Sequence, residues 1–274
     1  MRKVWIFICG LLLTQHLFSQ QFNVSQELVE LLQITGVQCE RTLPKIVEAT
    51  QKAWLRPSGK ERWEVEEQYD AAQQRQIVEI CKRMGLLAEI RPKKAHYRYC
   101  CIFGAALPTI EKRLEFAAKL SQEGIVFQEL VFLTGDRDLD ERIDRVSFLV
   151  TLPKNETEGM VALYESMLLP AIFKSVPMNI VNTPKRSTQM GWLRPNTYDT
   201  LVYWLKSLPM PGTVLFISNQ PYVCYQNATA RNVLPGTFDF ETVGCEASQG
   251  YFLRASLLLD TIARWLYLEN ASFE

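Results

Sequence analysis

The pattern of hydrophobic and polar positions changes along the chain near residue 96. Before this point, apolar residues recur at helical spacing; after it, short apolar runs alternate with amphipathic stretches. Alternation of strand and helix is typical of a parallel sheet that is covered by helices on both faces. The predicted fold is therefore α/β, a Rossmann-like three-layer α/β/α sandwich with a mostly parallel sheet, preceded by a helical N-terminal segment.

Three helices are predicted in the N-terminal segment, residues 20 to 95. Ser25 caps the first, and the other two cover residues 43–55 and 70–84. The last two are separated by a basic loop, residues 56–63, which contains Arg56, Arg62 and Trp63. This loop is either a solvated surface or a lid over a site at the edge of the sheet.

The Rossmann-like region is predicted to span residues 96–274. Its strands are expected at residues 97–103, 129–133, 178–181, 213–217 and 238–243. Its helices are expected at residues 109–121, 157–168, 197–208, 222–234 and 252–267, with Thr157 capping the second and Asn196 or Thr197 the third. Because residues 213–217 are apolar and rich in β-branched side chains, this strand is expected to be buried on both faces.

Residues 1–19 have the pattern of a secretory signal peptide. Arg2 and Lys3 precede an apolar core, and the small residue Ser19 ends a cleavage site. The apolar run is shorter than the ~20 residues that span a bilayer, so we expect no stable membrane span. The protein is predicted to be exported, periplasmic or secreted, with a mature chain that starts near Gln20; a retained anchor is the alternative.

Composition excludes several classes of function. With 30 basic and 30 acidic residues the chain has no net charge, which gives no reason to expect nucleic acid as a partner. Only His16 and His96 are present, and His16 falls in the signal, so neither a His-containing triad nor a His-rich metal site is predicted. Gly104 follows a strand but lacks the later glycines of a dinucleotide fingerprint. No metal is predicted, and the sequence identifies no cofactor.

Six cysteines remain once Cys9 leaves with the signal. In an exported protein they permit disulfides, in several possible connectivities. Cys224 and Cys245 are expected just past adjacent strand ends, which could bring their Cα atoms within the ~7 Å that a disulfide tolerates. Two unpaired thiols in different layers are the alternative. Cys39 and Cys81 are a second candidate pair, within the helical segment.

Polar turns follow the predicted strands and would meet at the carboxyl edge of the sheet. Helix N-termini at this edge present free N–H groups, which favour anions. Asp136, Glu158 and Asp199 are the evident acid–base or metal-ligating groups and are the catalytic candidates. The candidate ligand-binding residues are Gly104, Arg113, Thr134, Gly135, Lys185, Arg186, Arg194, Thr197, Ser218, Asn219 and Gln220.

Three basic residues are predicted to face the start of the helix near residue 197. Lys185 and Arg186 follow the third strand, and Pro195 keeps Arg194 extended beside the same helix start. Asp199 argues against an anion here, because its carboxylate can accept the helix N–H groups itself. The alternative is an ordinary capped helix beside a solvated basic loop.

Short motifs also follow the strands in a fixed order. They are Gly104 with Arg113, Thr134 with Gly135, Glu158 at a helix opening, the helix start at residues 197–200 and the polar turn at residues 218–221. With these motifs, residues 97–246 resemble the SanA/YdcF-like family, bacterial vancomycin-exclusion and envelope-biogenesis proteins of poorly defined function. The sequence departs from the family at Asp136, where a second glycine is usual, and it lacks the His and Arg that follow the fourth-strand turn.

The resemblance implies an exported protein of the cell envelope, and two functions stay open. The first is binding or processing of a phosphorylated or nucleotide-like metabolite at the carboxyl edge of the sheet. The second is a catalytically silent assembly factor whose partners are other envelope proteins. A deep polar pocket at this edge favours the first, and a shallow edge with an exposed apolar patch favours the second. Whether the protein is an enzyme stays open.

Overall fold

The computed structural model describes residues 24–188, 191–247 and 253–271. The expected signal peptide lies outside the described residues. The strands in the described chain are β1 (His96–Phe103), β2 (Val126–Gly135), β3 (Met178–Thr183), β4 (Arg186–Thr188), β5 (Gly191–Leu193), β6 (Gly212–Asn219) and β7 (Phe238–Cys245). Within these residues, five strands form one parallel sheet in the order β3–β2–β1–β6–β7, and β4 pairs with β5 in an antiparallel hairpin.

Helices occupy much of the remaining chain. They are α1 (Gln26–Ile34), α2 (Leu43–Ala53), α3 (Ala71–Arg83), α4 (Leu107–Gln122), α5 (Glu156–Ser166), α6 (Ala171–Lys174), α7 (Thr197–Leu205), α8 (Val223–Val233) and α9 (Ala255–Ala271), with a 3₁₀ turn at Arg62–Glu64. Within the described ranges, none of the helices combines the length and the apolar character that crossing a bilayer requires.

Alternate residues of the central strand point to opposite faces of the sheet and into separate cores. Cys100 and Ile102 pack on one face with residues of α4 and α5. Cys101 and Phe103 pack on the other face with α7, whose Trp204 meets the Phe216 ring edge-on at 6.3 Å. Period-two alternation into two apolar layers makes a three-layer sandwich. The Rossmann-like α/β class predicted from the sequence is confirmed.

The order of the strands determines where a crevice forms at the carboxyl edge of the sheet. The chain moves from β1 to β2 on one side and later returns to β6 on the other, so β1 and β6 are neighbours whose following helices, α4 and α8, cover opposite faces. In doubly wound sheets this reversal separates the helices at the carboxyl edge and leaves a crevice there. The topology therefore places a crevice beside the ends of β1 and β6.

The N-terminal helices share their core with the last helix of the chain. Leu31 of α1, Ile46 of α2 and Ile77 of α3 are fully buried in one cluster with Leu258 and Ile262 of α9. The side chain of Gln51 donates a hydrogen bond to the carbonyl oxygen of Ala263 at 2.8 Å. The α9 helix, which the sequence places in the Rossmann-like region, is thus also the partner of the helical segment.

The link from this helical cluster to the sheet is anchored by Gln220. Its amide Nε2 donates to the carbonyl oxygens of Gly85 and Ala88, at 3.1 and 2.9 Å. Ile90 then forms an antiparallel bridge with Gly244 at the edge of β7. Residues 85–90 are therefore held against the ends of β6 and β7.

Some element boundaries differ from those predicted. Asn155 caps α5 instead of Thr157, because Thr157 uses its hydroxyl to contact Thr134 Oγ1 at 2.6 Å while Asn155 accepts from the Glu158 N–H. Helix α7 is capped by Asn196, as expected, but ends at Leu205. It cannot continue to Leu208, whose φ of 54° is left-handed.

The candidate disulfides do not form, and of the two alternatives the unpaired thiols in different layers are the correct one. Cys39, Cys81, Cys224 and Cys245 are all free thiols. Cys224 packs with the helical cluster, whereas Cys245 packs with the core on the α4 face of the sheet. Adjacent strands therefore do not bring these two sulfurs together, because their side chains enter different layers.

Candidate functional site

A cleft of about 830 Å³ opens at the carboxyl edge of the sheet, where the topology places the crevice. Its walls come from the ends of β1 and β2, from α4, α7, α8 and α9, and from residues 56–63. Among the described residues, seven arginines and two glutamates line it: Arg56, Arg62, Arg113, Arg137, Arg142, Arg194, Arg264, Glu61 and Glu156. This concentration of arginines occurs in a chain whose formal net charge is zero.

Arg113 lies at the point where the strand order reverses. It projects from α4, is 2% exposed, and donates from Nη1 to the carbonyl oxygens of Phe103 and Gly104 at 2.7 and 2.9 Å. Its Nε and Nη2 both donate to Asn219 Oδ1, at 3.0 and 2.8 Å. Burial lowers the pKa of Arg113 to about 10, so the guanidinium stays charged at neutral pH. A cation held by neutral oxygens thus joins the ends of β1 and β6.

Arg137 and Glu156 form the wall on the β2 side. Arg137 donates to both oxygens of Asp144, at 2.8 and 2.9 Å, and to Glu156 Oε2 at 3.0 Å. Glu156 also accepts the Gly135 N–H at 3.1 Å, while its burial raises the pKa of its carboxyl group. Gly104 has to be a glycine here, because a Cβ at this position would overlap the Glu156 carboxylate. These contacts make a rigid wall in which the charged side chains are paired with one another.

Residues 56–64, here called the lid segment, cover the cleft from the side of the helical cluster. Glu61 pairs with Arg194 at 2.9 Å. The Arg62 guanidinium lies 4.4 Å from the centre of the Tyr222 ring, and Arg142 lies 5.9 Å from the Trp63 ring. Stacking of this kind holds the lid segment against the sheet edge. Both ends of this segment therefore line the cleft, as the lid alternative expects, whereas residues 57–60 are exposed, as the alternative of a solvated surface expects.

The last helix supports the lid segment through Asp260. This carboxylate is 1% exposed, pairs with Arg264 at 3.0 Å and accepts the backbone N–H of Arg56 at 3.1 Å. Although burial raises the pKa of Asp260, its bonds to Arg264 and the Arg56 N–H prevail and hold that pKa below its ordinary value. A carboxylate of α9 thus fixes the position where the lid segment begins.

The sequence-predicted binding residues divide into two groups. Those that line the cleft are Gly104, Arg113, Gly135, Arg194 and Thr197. Those that do not line it are Thr134, Lys185, Arg186, Ser218, Asn219 and Gln220. Most of this second group is structural: Asn219 orients Arg113, Gln220 anchors residues 85–90, and Ser218 bonds to Gln226.

The predicted basic site at the start of α7 is occupied by the protein's own carboxylates. Asp199 completes a capping box with Asn196 and pairs with Arg186 at 3.1 Å. Lys185 pairs with Asp138 at 2.8 Å. Of the three basic residues expected here, only Arg194 reaches the cleft.

The catalytic candidates lie outside the cleft. Asp136 is near Lys185 at 4.0 Å, Asp199 is the second member of the capping box of α7, and Glu158 is exposed at the start of α5. The carboxylates that do line the cleft, Glu61 and Glu156, both form ion pairs. Within the described ranges, no group of three or more His, Cys, Asp or Glu side chains is arranged to hold a metal ion.

Several lining residues were not predicted from the sequence. Arg137 belongs to a polar turn after β2, a position that could have suggested it. Arg142 and Arg264 lie in a charged loop and a C-terminal helix, where basic residues are ordinary. Tyr222 and Tyr225, at the start of α8, also line the cleft. Only the packing of distant segments brings these side chains to one cleft.

We find no match between this chain and any protein-family model, curated protein or solved structure.

Proposed function

We propose that this protein binds a phosphorylated or nucleotide-like metabolite in the arginine-lined cleft at the carboxyl edge of its sheet. The observation that carries the proposal is the lining itself, seven arginines and two glutamates among the described residues. Arginine matches phosphate oxygens in geometry and keeps its charge, which makes it the preferred residue for such ligands. A volume of about 830 Å³ falls in the range of small-molecule sites and accommodates a nucleotide-sized ligand.

The cleft supports binding more than catalysis. Its two lining carboxylates are engaged, Glu61 with Arg194 and Glu156 with Arg137. A general base needs a carboxylate that can reach the reacting proton, and these are held by arginines instead. The volume of the cleft and its arginine lining also favour ligand binding over the alternative of a silent assembly platform. We extend the proposal to an exported, envelope-associated role of the SanA/YdcF-like kind, which rests on the sequence resemblance.

The binding proposal is tested by thermal shift and calorimetry against nucleotides and sugar phosphates. Arg194→Ala is expected to weaken binding about tenfold, because it removes a cation and leaves Glu61 facing the ligand unpaired. Arg91→Ala is the matched control, since Arg91 pairs with Glu89 and Glu123 away from the cleft. If no phosphorylated compound binds to the unaltered protein, the assembly-platform alternative is preferred.

The export proposal has its own measurement. N-terminal sequencing of protein produced in a bacterial host is expected to start near Gln20, because Ser19 ends the predicted cleavage site. Retention of Met1 in membrane-bound protein would show a signal anchor instead.

A further inference from the structure

Most arginines of the cleft already have a carboxylate partner. Arg137 pairs with Asp144 and Glu156. Three other arginines of the cleft also have a carboxylate partner. The remaining pairs are Arg142 with Asp140, Arg194 with Glu61 and Arg264 with Asp260. These guanidiniums contribute little net charge to the cleft, because each has an anion in contact.

Two guanidiniums differ from these. Within residues 24–188, 191–247 and 253–271, Arg56 and Arg113 line the cleft without an ion pair to any carboxylate. Arg113 is buried and its hydrogen bonds go to carbonyl and amide oxygens, which carry no formal charge. Arg56 is half-buried at the start of the lid segment. Together they carry two positive charges that face the same space.

The two charges belong to one electrostatic cluster. Burial is the main cause of the lowered pKa of both Arg56 and Arg113, and the nearby charge of Arg62 lowers both further. Asp260 and Glu61 raise the pKa of Arg56, and Glu156 raises that of Arg113, but each of these carboxylates is already in an ion pair with another arginine. Arg62 therefore lies within electrostatic reach of each of them. Because Arg56 and Arg113 line a common cleft and share this neighbour, both of their charges attract a small anion near Arg62.

Unused hydrogen-bond donors mark the same region. In the part of the chain that the structure describes, the buried atoms Arg56 Nη1 and Trp63 Nε1 have no acceptor. Buried polar atoms are nearly always paired, and leaving one unpaired costs about 1–3 kcal/mol. Both side chains line the cleft, so a ligand that carries acceptor oxygens can satisfy both donors.

Resting on the proposed function, we infer that the cleft selects a phosphate monoester dianion, with its terminal phosphate held between Arg56 and Arg113. A monoester carries close to two negative charges near neutral pH and three acceptor oxygens. It therefore matches two guanidiniums that have no ion-pair partner and the free donors of the lid segment. A phosphate diester carries one negative charge and leaves one of these guanidiniums without an ion-pair partner.

The test compares methyl phosphate with dimethyl phosphate by calorimetry on the full chain. At pH 8 the first is a dianion and the second a monoanion of similar shape. We expect methyl phosphate to bind at least about tenfold more tightly, because the second charge meets its own guanidinium. Equal affinities would overturn the inference while leaving the proposed function in place. Absence of binding by both probes and by every nucleotide and sugar phosphate would overturn both.

Variants at Arg56 locate the preference. Arg56→Gln is expected to reduce the preference for methyl phosphate over dimethyl phosphate to about threefold or less. Arg56→Lys keeps the charge and is expected to retain most of this preference. Arg91→Gln removes a surface arginine outside the cleft and should leave the preference unchanged. A full preference in Arg56→Gln would overturn the assignment of this residue. Circular dichroism of each variant checks that it is folded.

Discussion

At the scale of single residues, the site depends on a buried arginine that is held by neutral groups. Arg113 is bonded to two carbonyl oxygens and to Asn219, so its hydrogen bonds are satisfied by groups without formal charge. A buried guanidinium without a carboxylate in contact is usually unstable, but the carbonyl dipoles keep Arg113 charged and in place. This arrangement fixes a cation at the sheet edge without a direct ion pair.

Gly104 is the residue whose substitution tests the packing of this wall. Gly104→Ala is expected to lower the free energy of unfolding by about 1–3 kcal/mol, because its Cβ would displace the Glu156 carboxylate from Arg137 and the Gly135 N–H. Urea denaturation measures the change. Gly236→Ala is the control, since nothing lies within 4 Å of a Cβ there. Equal effects of the two substitutions would contradict this account.

At the scale of elements, local patterns predicted the strands and most helices but not all of their ends. Residues 213–217 form the core of β6 because a β-branched apolar run has few alternatives to a buried strand. The cap of α5 was misplaced, since a threonine and an asparagine compete and only the contact of Thr157 with Thr134 decides between them. The β4–β5 hairpin was missed because its three-residue strands are exposed and show no alternation.

Asp260 of α9 gives an element-scale prediction for pH dependence. Its pKa in the folded state lies below the ordinary 3.8, so the unfolded chain binds the proton more tightly. The stability it contributes is therefore present above pH 3.8 and is lost as the pH falls through its folded pKa. Asp260→Asn should lower the free energy of unfolding by about 1–3 kcal/mol at pH 7 and flatten its acid dependence below pH 4.

Urea denaturation between pH 3 and pH 7 measures this difference. Asp239→Asn is the control, because Asp239 pairs with Lys94 but its side chain is 66% exposed. Exposed pairs contribute little, so this variant should follow the unaltered protein at every pH. An acid profile of Asp260→Asn parallel to that of the unaltered protein would contradict the assignment.

At the scale of the whole molecule, the sequence predicted the edge that holds the cleft but not its composition. Strand–helix alternation is enough to place a crevice where β1 and β6 end. No periodicity relates Arg56 to Arg264, which approach each other because α9 packs on the N-terminal helices. Side chains from such distant segments meet through tertiary packing, which single-sequence patterns do not encode.

The helical cluster and the sheet are expected to unfold together. Ile46→Ala, at a fully buried position of the cluster, should cost about 2–5 kcal/mol. Because Gln220 and Ile90 tie the cluster to β6 and β7, the loss should reduce amide-exchange protection equally in α2 and in β1. Leu163→Ala, on the α4 face of the sheet, is the matched substitution. Loss of protection confined to α1–α3 and α9 would show two independent units.

The bond between the Arg56 N–H and Asp260 also has a consequence for the order of events during synthesis. Its two residues are 204 positions apart, and α9 is the last helix of the described chain. A ribosome has released residues 56–64 long before it makes the helix that supports them. Contacts of such long range form late, after the loop between them has closed. A nascent chain therefore cannot assemble the cleft before α9 has left the ribosome.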